Sequence, residues 1–219
     1  MVDMGSLTVV ARNLVDVAAD NGRWMTWNLI LAVIPAGLAV LVFRHRGPRT
    51  AVWWTGAALF GLFLPNAPYV VTDLVHLRDD VLAADTDLAV ITAVLPAYAS
   101  FIAVGLLAYV LAVGEMGRYL TGLGLGRWRG QVEVATHALC AVGVVLGRVA
   151  GLNSWEPVTE PHGAAERIAL TLSWRGAPLA VLVTFAVIWV CHGATRALVR
   201  HGIAAVGSAT QTLRRTPGV

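Results

Sequence analysis

Leu64 to Leu77 reads LPNAPYVVTDLVHL: two prolines three apart inside an apolar run, followed at once by polar and ionisable side chains. Pro65 and Pro68 lack a backbone donor and restrict the residue before them, so the helix rising through Trp53 and Phe60 should break here. Asn66, between the prolines, is placed to cap a new helix. From Tyr69 onward, Thr72, Asp73 and His76 recur at spacings of three and four, while Val70, Val71, Leu74 and Val75 take the neighbouring arc. One face of the restarted helix is therefore polar, the other apolar.

The surroundings of this stretch are too apolar for a soluble domain: 57% of residues are hydrophobic, 13% are charged and the mean hydropathy is +0.69. An all-α integral membrane protein is expected, forming a single membrane domain over 1–219. Five apolar runs approach the roughly 20 residues that a bilayer core demands. They are Trp27 to Phe43, Ala51 to Val71, Leu88 to Val113, Val132 to Ala150 and Pro178 to Val199, giving a five-span bundle over 27–199. Pro35 and Pro96 predict kinks, and the length of the third run predicts tilt. Trp24, Trp27, Trp53, Trp54, Trp128, Trp155 and Trp174 lie near run ends, where indoles prefer the headgroup layer.

Residues 1–26 are expected to be an N-terminal interfacial segment, and within them Met1 to Arg23 lack the basic start and unbroken apolar core of a cleavable signal. Leu7, Val10, Leu14 and Val17 recur opposite Thr8, Arg12 and Asp16, predicting a short N-terminal interfacial helix. Arginine bias sets the orientation. The loops carrying Arg44, Arg46, Arg49 and Arg118, Arg127, Arg129 share one side with the basic tail, 200–219. That side is expected to be cytoplasmic, in a bacterial inner membrane, with the N-terminus and both polar motifs outside. All 16 basic residues are arginine, which reads as codon bias in a GC-rich genome. They are spread among loops without a basic stripe, which excludes a nucleic-acid partner. Cys140 and Cys191 each sit within an apolar run as small hydrophobes.

The second polar motif is Leu146 to Pro157, LGRVAGLNSWEP. Arg148 lies near the outer end of the fourth span, where a charge pairs, snorkels or serves a function, and Asp73 is its natural partner. Asn153, Ser154, Trp155 and Glu156 follow as a compact cluster closed by Pro157. Together the two motifs resemble the membrane family named domain of unknown function 1361, over most of the chain from about the first span to the fifth. The resemblance rests on Asn66, Ala67, Pro68, Tyr69, Thr72 and Asp73, then on Gly147, Arg148, Asn153, Ser154 and Trp155. It implies a multi-pass bacterial membrane protein and brings no reaction, substrate or cofactor. The chain departs from the family pattern at Gly151 and Leu152, where a basic and an aromatic residue are common, and at Glu156, commonly aspartate. These changes argue against phosphate binding by that turn.

The expected functional surface is an outer-face cluster with Asn66, Tyr69, Thr72, Asp73, His76, Arg148, Asn153, Ser154 and Trp155 as binding residues. Its partner would be a lipid headgroup, an envelope polymer or another membrane protein. An alternative is a metal-dependent enzyme acting on a lipid or envelope substrate. There Asp73, His76 and Glu156 are the candidate acid and base, and Asp73, His76 and His162 the candidate ligands of a divalent metal, since carboxylate and imidazole at helical spacing can do either. A small-solute transporter would need polar groups through the bilayer, and the spans offer few beyond Tyr98, Ser100 and His137. Glu133 and His137, four apart, read first as a local pair, with His192 as a residue that could complete a site. Asp79, Asp80, Asp85 and Asp87 lack the glycine and glutamate of a calcium loop and read as a solvated linker. No glycine-rich phosphate loop, nucleophile elbow or paired-histidine zinc helix is present, so binding is the preferred reading.

Overall fold

The computed structural model describes residues 4–84 and 86–215, and among these no strand occurs. Helix α1 (Met4–Phe43) is followed by α2 (Ala51–Phe63), α3 (Asn66–Tyr69), a 3-10 turn (Val70–Asp73) and α4 (Leu74–Ala83). Then come α5 (Asp87–Ala89), a π-helical stretch (Val90–Val94), α6 (Leu95–Gly122), a 3-10 turn (Gly126–Trp128) and α7 (Arg129–Val149). Short α8 (Glu156–Thr159) and α9 (Pro161–Ser173) lead to α10 (Ala177–Arg215). Five helical segments are long and apolar enough to cross a membrane: Asn21–Phe43, Ala51–Ala83, Asp87–Gly122, Gly126–Val149 and Ala177–Ala205.

These are the five expected spans, with longer ends. The amino-terminal segment is not a separate helix: α1 passes through Trp24 and Trp27 without a break. Tertiary bonds hold it across the expected boundary. Asn21 is buried and donates to Asp80 at 2.9 Å, and Trp24 Nε1 donates to Asn21 at 2.8 Å. The side chains of Leu7, Val10, Leu14, Asp16 and Val17, on which the interfacial reading rests, lie outside the described residues, as does Asp85. Helix α1 also runs unbroken through the buried Pro35. At Pro96 the missing donor has a visible counterpart, because the preceding turn is π-helical.

Helix α1 packs chiefly on α6 and α2, and α10 on α7. Phe60, Leu64, Tyr109, Val113, Val144 and Ile188 form the main core, interleaved with Ala39, Ala67, Ala112 and Ala141. Small residues at such contacts let helices approach closely, and close packing is what drives association where lipid removes the hydrophobic gain. Large apolar side chains left on the outside, such as Leu41 and Leu139, then meet acyl chains instead of water.

The break at the prolines positions everything that follows. Helix α2 stops at Phe63, and the chain turns through α3 and the 3-10 turn before α4 restarts. Two glycines on neighbouring helices make room for it. A Cβ on Gly143 of α7 would lie 2.6 Å from Pro65 Cγ, and one on Gly105 of α6 would lie 2.5 Å from Val70 Cγ2. Asn66 does not cap α3, since no side-chain cap bond is made there. It donates backward to the Phe63 carbonyl at 2.9 Å, satisfying an acceptor that the end of α2 leaves without a helical partner.

Candidate functional site

The polar faces of both motifs meet at the break. Asp73, on the 3-10 turn, is 1% exposed, and its carboxylate is shared between two helices. Asn28 of α1 donates to Oδ2 at 3.0 Å, and Arg148 of α7 approaches Oδ1 at 3.3 Å. The guanidinium also donates to the Thr72 carbonyl at 2.6 Å and to the Tyr69 hydroxyl at 3.2 Å, with Cζ 5.5 Å from the Tyr69 ring centroid. Three spans are thereby tied by one charge pair that also bonds neutral groups, Asn28 on the acid and Tyr69 and Thr72 on the base, the kind of support that makes a buried pair tolerable.

Beside it, Asn66 donates to Ser154 Oγ at 2.7 Å, and Trp155 packs edge-on against Trp27 at 6.2 Å. Helix α7 ends at Val149, and Gly151, just past the Ala150 cap, has a φ of +63, the left-handed conformation suited to glycine after a helix. The chain then doubles back and is pinned by Glu156. This carboxylate accepts from the Asn153 backbone at 3.1 Å, its side chain at 3.0 Å and Arg167 at 2.8 Å. The Asn153 bonds, with a smaller contribution from Arg167, hold the Glu156 carboxyl below the usual carboxylate range.

A pocket of about 430 Å³ lies between α1, the broken span, α7 and this loop. Leu31, Leu62, Leu146 and Ile168 supply its apolar lining, and Asn28, Asn66, Tyr69, Asn153 and Ser154 its hydrogen-bonding groups. Of the expected binding residues, Asn66, Tyr69, Asn153 and Ser154 line it, whereas Thr72, Asp73, His76, Arg148 and Trp155 do not. Thr72 turns its hydroxyl onto the Tyr69 carbonyl at 2.7 Å. Exposed His76 packs against Trp24 at 5.3 Å between ring centroids, and His162 is exposed at the start of α9. Asp73, His76 and His162 do not form a metal-sized group.

Among the described residues that group is Glu133, His137 and His192, whose ligand atoms all lie within 4.8 Å of one another. It sits on α7 and α10, towards the arginine-rich end. The residues put forward for a transport path are engaged locally. Tyr98 donates to Asp80 at 2.6 Å, Ser100 bonds carbonyls of its own helix, and His137 meets the Tyr109 hydroxyl at 2.6 Å. A more open cleft of about 690 Å³ lies at the arginine-rich end. Its Arg44 and Arg118 are already paired with Glu115, and its Arg49 lies over Trp53 and Tyr119.

Sequence reasoning missed Asn28, Asn21 and Arg167. The first two had a signal: Asn21, Trp24 and Asn28 fall at spacings of three and four on the first span, a polar stripe facing the break. Arg167 had none, because α9 was not foreseen.

This is a multi-pass helical membrane protein with a fixed charge pair and an amphipathic pocket at a broken span. The chain belongs to the family described as protein of unknown function (DUF1361), which it matches over residues 27–191, a stretch that contains both polar motifs. No curated protein and no solved structure matches the chain.

Proposed function

We propose that the protein is a binding protein of the bacterial inner membrane, built as a single membrane domain, whose pocket takes the polar head of an amphiphile on the non-cytoplasmic face. The carrying observation is the pocket itself: apolar walls from Leu31, Leu62, Leu146 and Ile168 under a rim of uncharged amides and hydroxyls. Such lining suits an apolar chain capped by hydroxyl or amide groups, and few precisely placed polar groups among apolar ones is the usual character of small-molecule sites. The nearby charges favour binding over catalysis. Asp73 has both oxygens engaged, by Asn28 and Arg148, and Arg148 is spread over three acceptors. Together they act as the frame of the pocket. Glu156 likewise serves to fold the loop that bears Asn153 and Ser154.

The outward orientation rests on the arginines of the 44–49 and 118–129 loops and the tail. Native mass spectrometry of protein released from membranes in mild detergent tests the binding reading. A discrete lipid-sized adduct is expected on the wild type, reduced at least tenfold by Leu62→Trp, which fills the pocket, and by the pair Asn66→Ala with Asn153→Ala. Equal adducts on all three proteins would refute it.

A further inference from the structure

We propose that Glu133, His137 and His192 form a binding site for a transition-metal dication of the Zn²⁺ or Fe²⁺ class, buried between α7 and α10. This site is separate from the pocket at the broken span and stands or falls independently of it.

The geometry comes from two helices. Glu133 and His137 are four apart on α7 and share a face, and the packing of α10 on α7 brings in His192. One carboxylate oxygen is the point of convergence: His192 Nδ1 lies 3.5 Å and His137 Nε2 4.0 Å from Glu133 Oε1. Donors on a tetrahedral ion at about 2.1 Å are about 3.5 Å apart. The first separation already fits, the second needs a side-chain shift of about 0.5 Å, and the two imidazole donors, within 4.8 Å of each other, close by up to about 1.3 Å on the same scale. Both imidazoles are nearly closed to water, His137 at 1% exposure and His192 at 4%. A Glu133–Arg196 ion pair would need neither of them there.

The surroundings supply what such ligands require. His137 Nδ1 lies 2.6 Å from the Tyr109 hydroxyl, so that with Nδ1–H donated to the phenol oxygen the lone pair of Nε2 faces Glu133. A fixed partner on the distal nitrogen is the recurrent support of a metal-bound histidine. Arg196 Nη1 lies 3.3 Å from Glu133 Oε1 and 3.5 Å from Oε2, so a small shift of the guanidinium onto Oε2 keeps the pair while Oε1 takes the ion. Two imidazoles and one carboxylate select a borderline transition metal over Mg²⁺ or Ca²⁺, which prefer all-oxygen sets. Three protein donors leave a coordination position for water or substrate, the pattern of reactive rather than purely structural sites. Partial exposure of Glu133 and Arg196 provides the way in.

The test is metal analysis of protein purified without chelator, read against variants. The wild type should carry about one equivalent of Zn²⁺ or Fe²⁺ per chain. His137→Ala and His192→Ala should lose it, and Tyr109→Phe should weaken retention roughly 10- to 100-fold, as loss of such a supporting partner does. Asp73→Asn and His162→Ala should retain it. Loss of a buried imidazole can itself unfold the bundle, so a second measurement uses the wild type alone. Chelator-stripped protein titrated with Co²⁺ should develop visible absorption that saturates at one equivalent and is displaced by Zn²⁺. A wild type that carries no metal and leaves Co²⁺ with its free-ion spectrum would overturn the proposal, as would metal that persists in both histidine variants.

Discussion

Removing Arg148 should destabilise the protein far more than removing its partner Asp73. At the observed 3.3 Å, opposite unit charges attract by about 5 kcal/mol at an effective dielectric of 20, before desolvation is charged against them. Arg148→Gln leaves the Asp73 carboxylate almost fully buried with the Asn28 amide still donating to it, and an orphaned buried charge costs about 3–5 kcal/mol. Asp73→Asn leaves Arg148, whose side chain is about a third exposed, still bonded to Tyr69 and Thr72, so about 1–2 kcal/mol is expected for one lost polar contact. With both changed, the orphaned charge disappears, and the double variant should be more stable than the sum by about 1.5–3 kcal/mol, within the range for groups in contact. Equilibrium unfolding in mixed micelles titrated with dodecyl sulfate measures the cycle. Additivity within about 0.5 kcal/mol would mean that the pair is not coupled, and the account of the pocket's frame would fail.

Other outcomes follow from the same geometry. Gly143→Ala should cost about 1–3 kcal/mol in the same unfolding assay, because its Cβ would meet Pro65 and one helix must move. Gly151→Ala should cost about 1–2 kcal/mol for the left-handed φ alone, without altering the metal content. Glu156 has a folded-state pKa below its unfolded value, so its contribution to loop stability is complete above about pH 4.3 and is lost as pH falls through the folded value. The packing of Trp155 on Trp27, followed by fluorescence, should loosen in that acid window in the wild type, whereas Glu156→Gln should show the loosened signal at neutral pH. A cysteine at exposed position 79 should react with an impermeant maleimide from outside intact cells, and one at position 47 only after the inner membrane is breached.

What the sequence makes legible here is largely what acts alone. Two prolines lacking donors break a helix wherever they sit, and the five apolar runs are spans by length. The partnership of Asp73 and Arg148 was foreseeable because each charge would otherwise lie unpaired near the apolar core. Contacts that depend on which helices become neighbours were not legible. The polar stripe of Asn21, Trp24 and Asn28 does not say which span it will face, and His192 could be named only as one residue able to join His137 until the packing of α10 on α7 brings the two together. Asn21 falls within the expected N-terminal interfacial segment, outside the limit set for the first span at Trp27. Its bond to Asp80 instead carries α1 past that limit without a break, and Asp80, read as part of a solvated linker, is the acceptor for both Asn21 and Tyr98. Helix α9, set between Pro161 and Trp174, is too short and too weakly patterned to stand out, yet its Ile168 completes the pocket wall.

The pocket at the broken span is tested most directly by photocrosslinking in living cells from benzoylphenylalanine placed at Leu62, inside the pocket, with lipid-facing Leu139 as the reference. The account predicts that position 62 yields one discrete adduct mass absent from position 139, where bulk phospholipids are captured. The same mixture of phospholipids at both positions would contradict it.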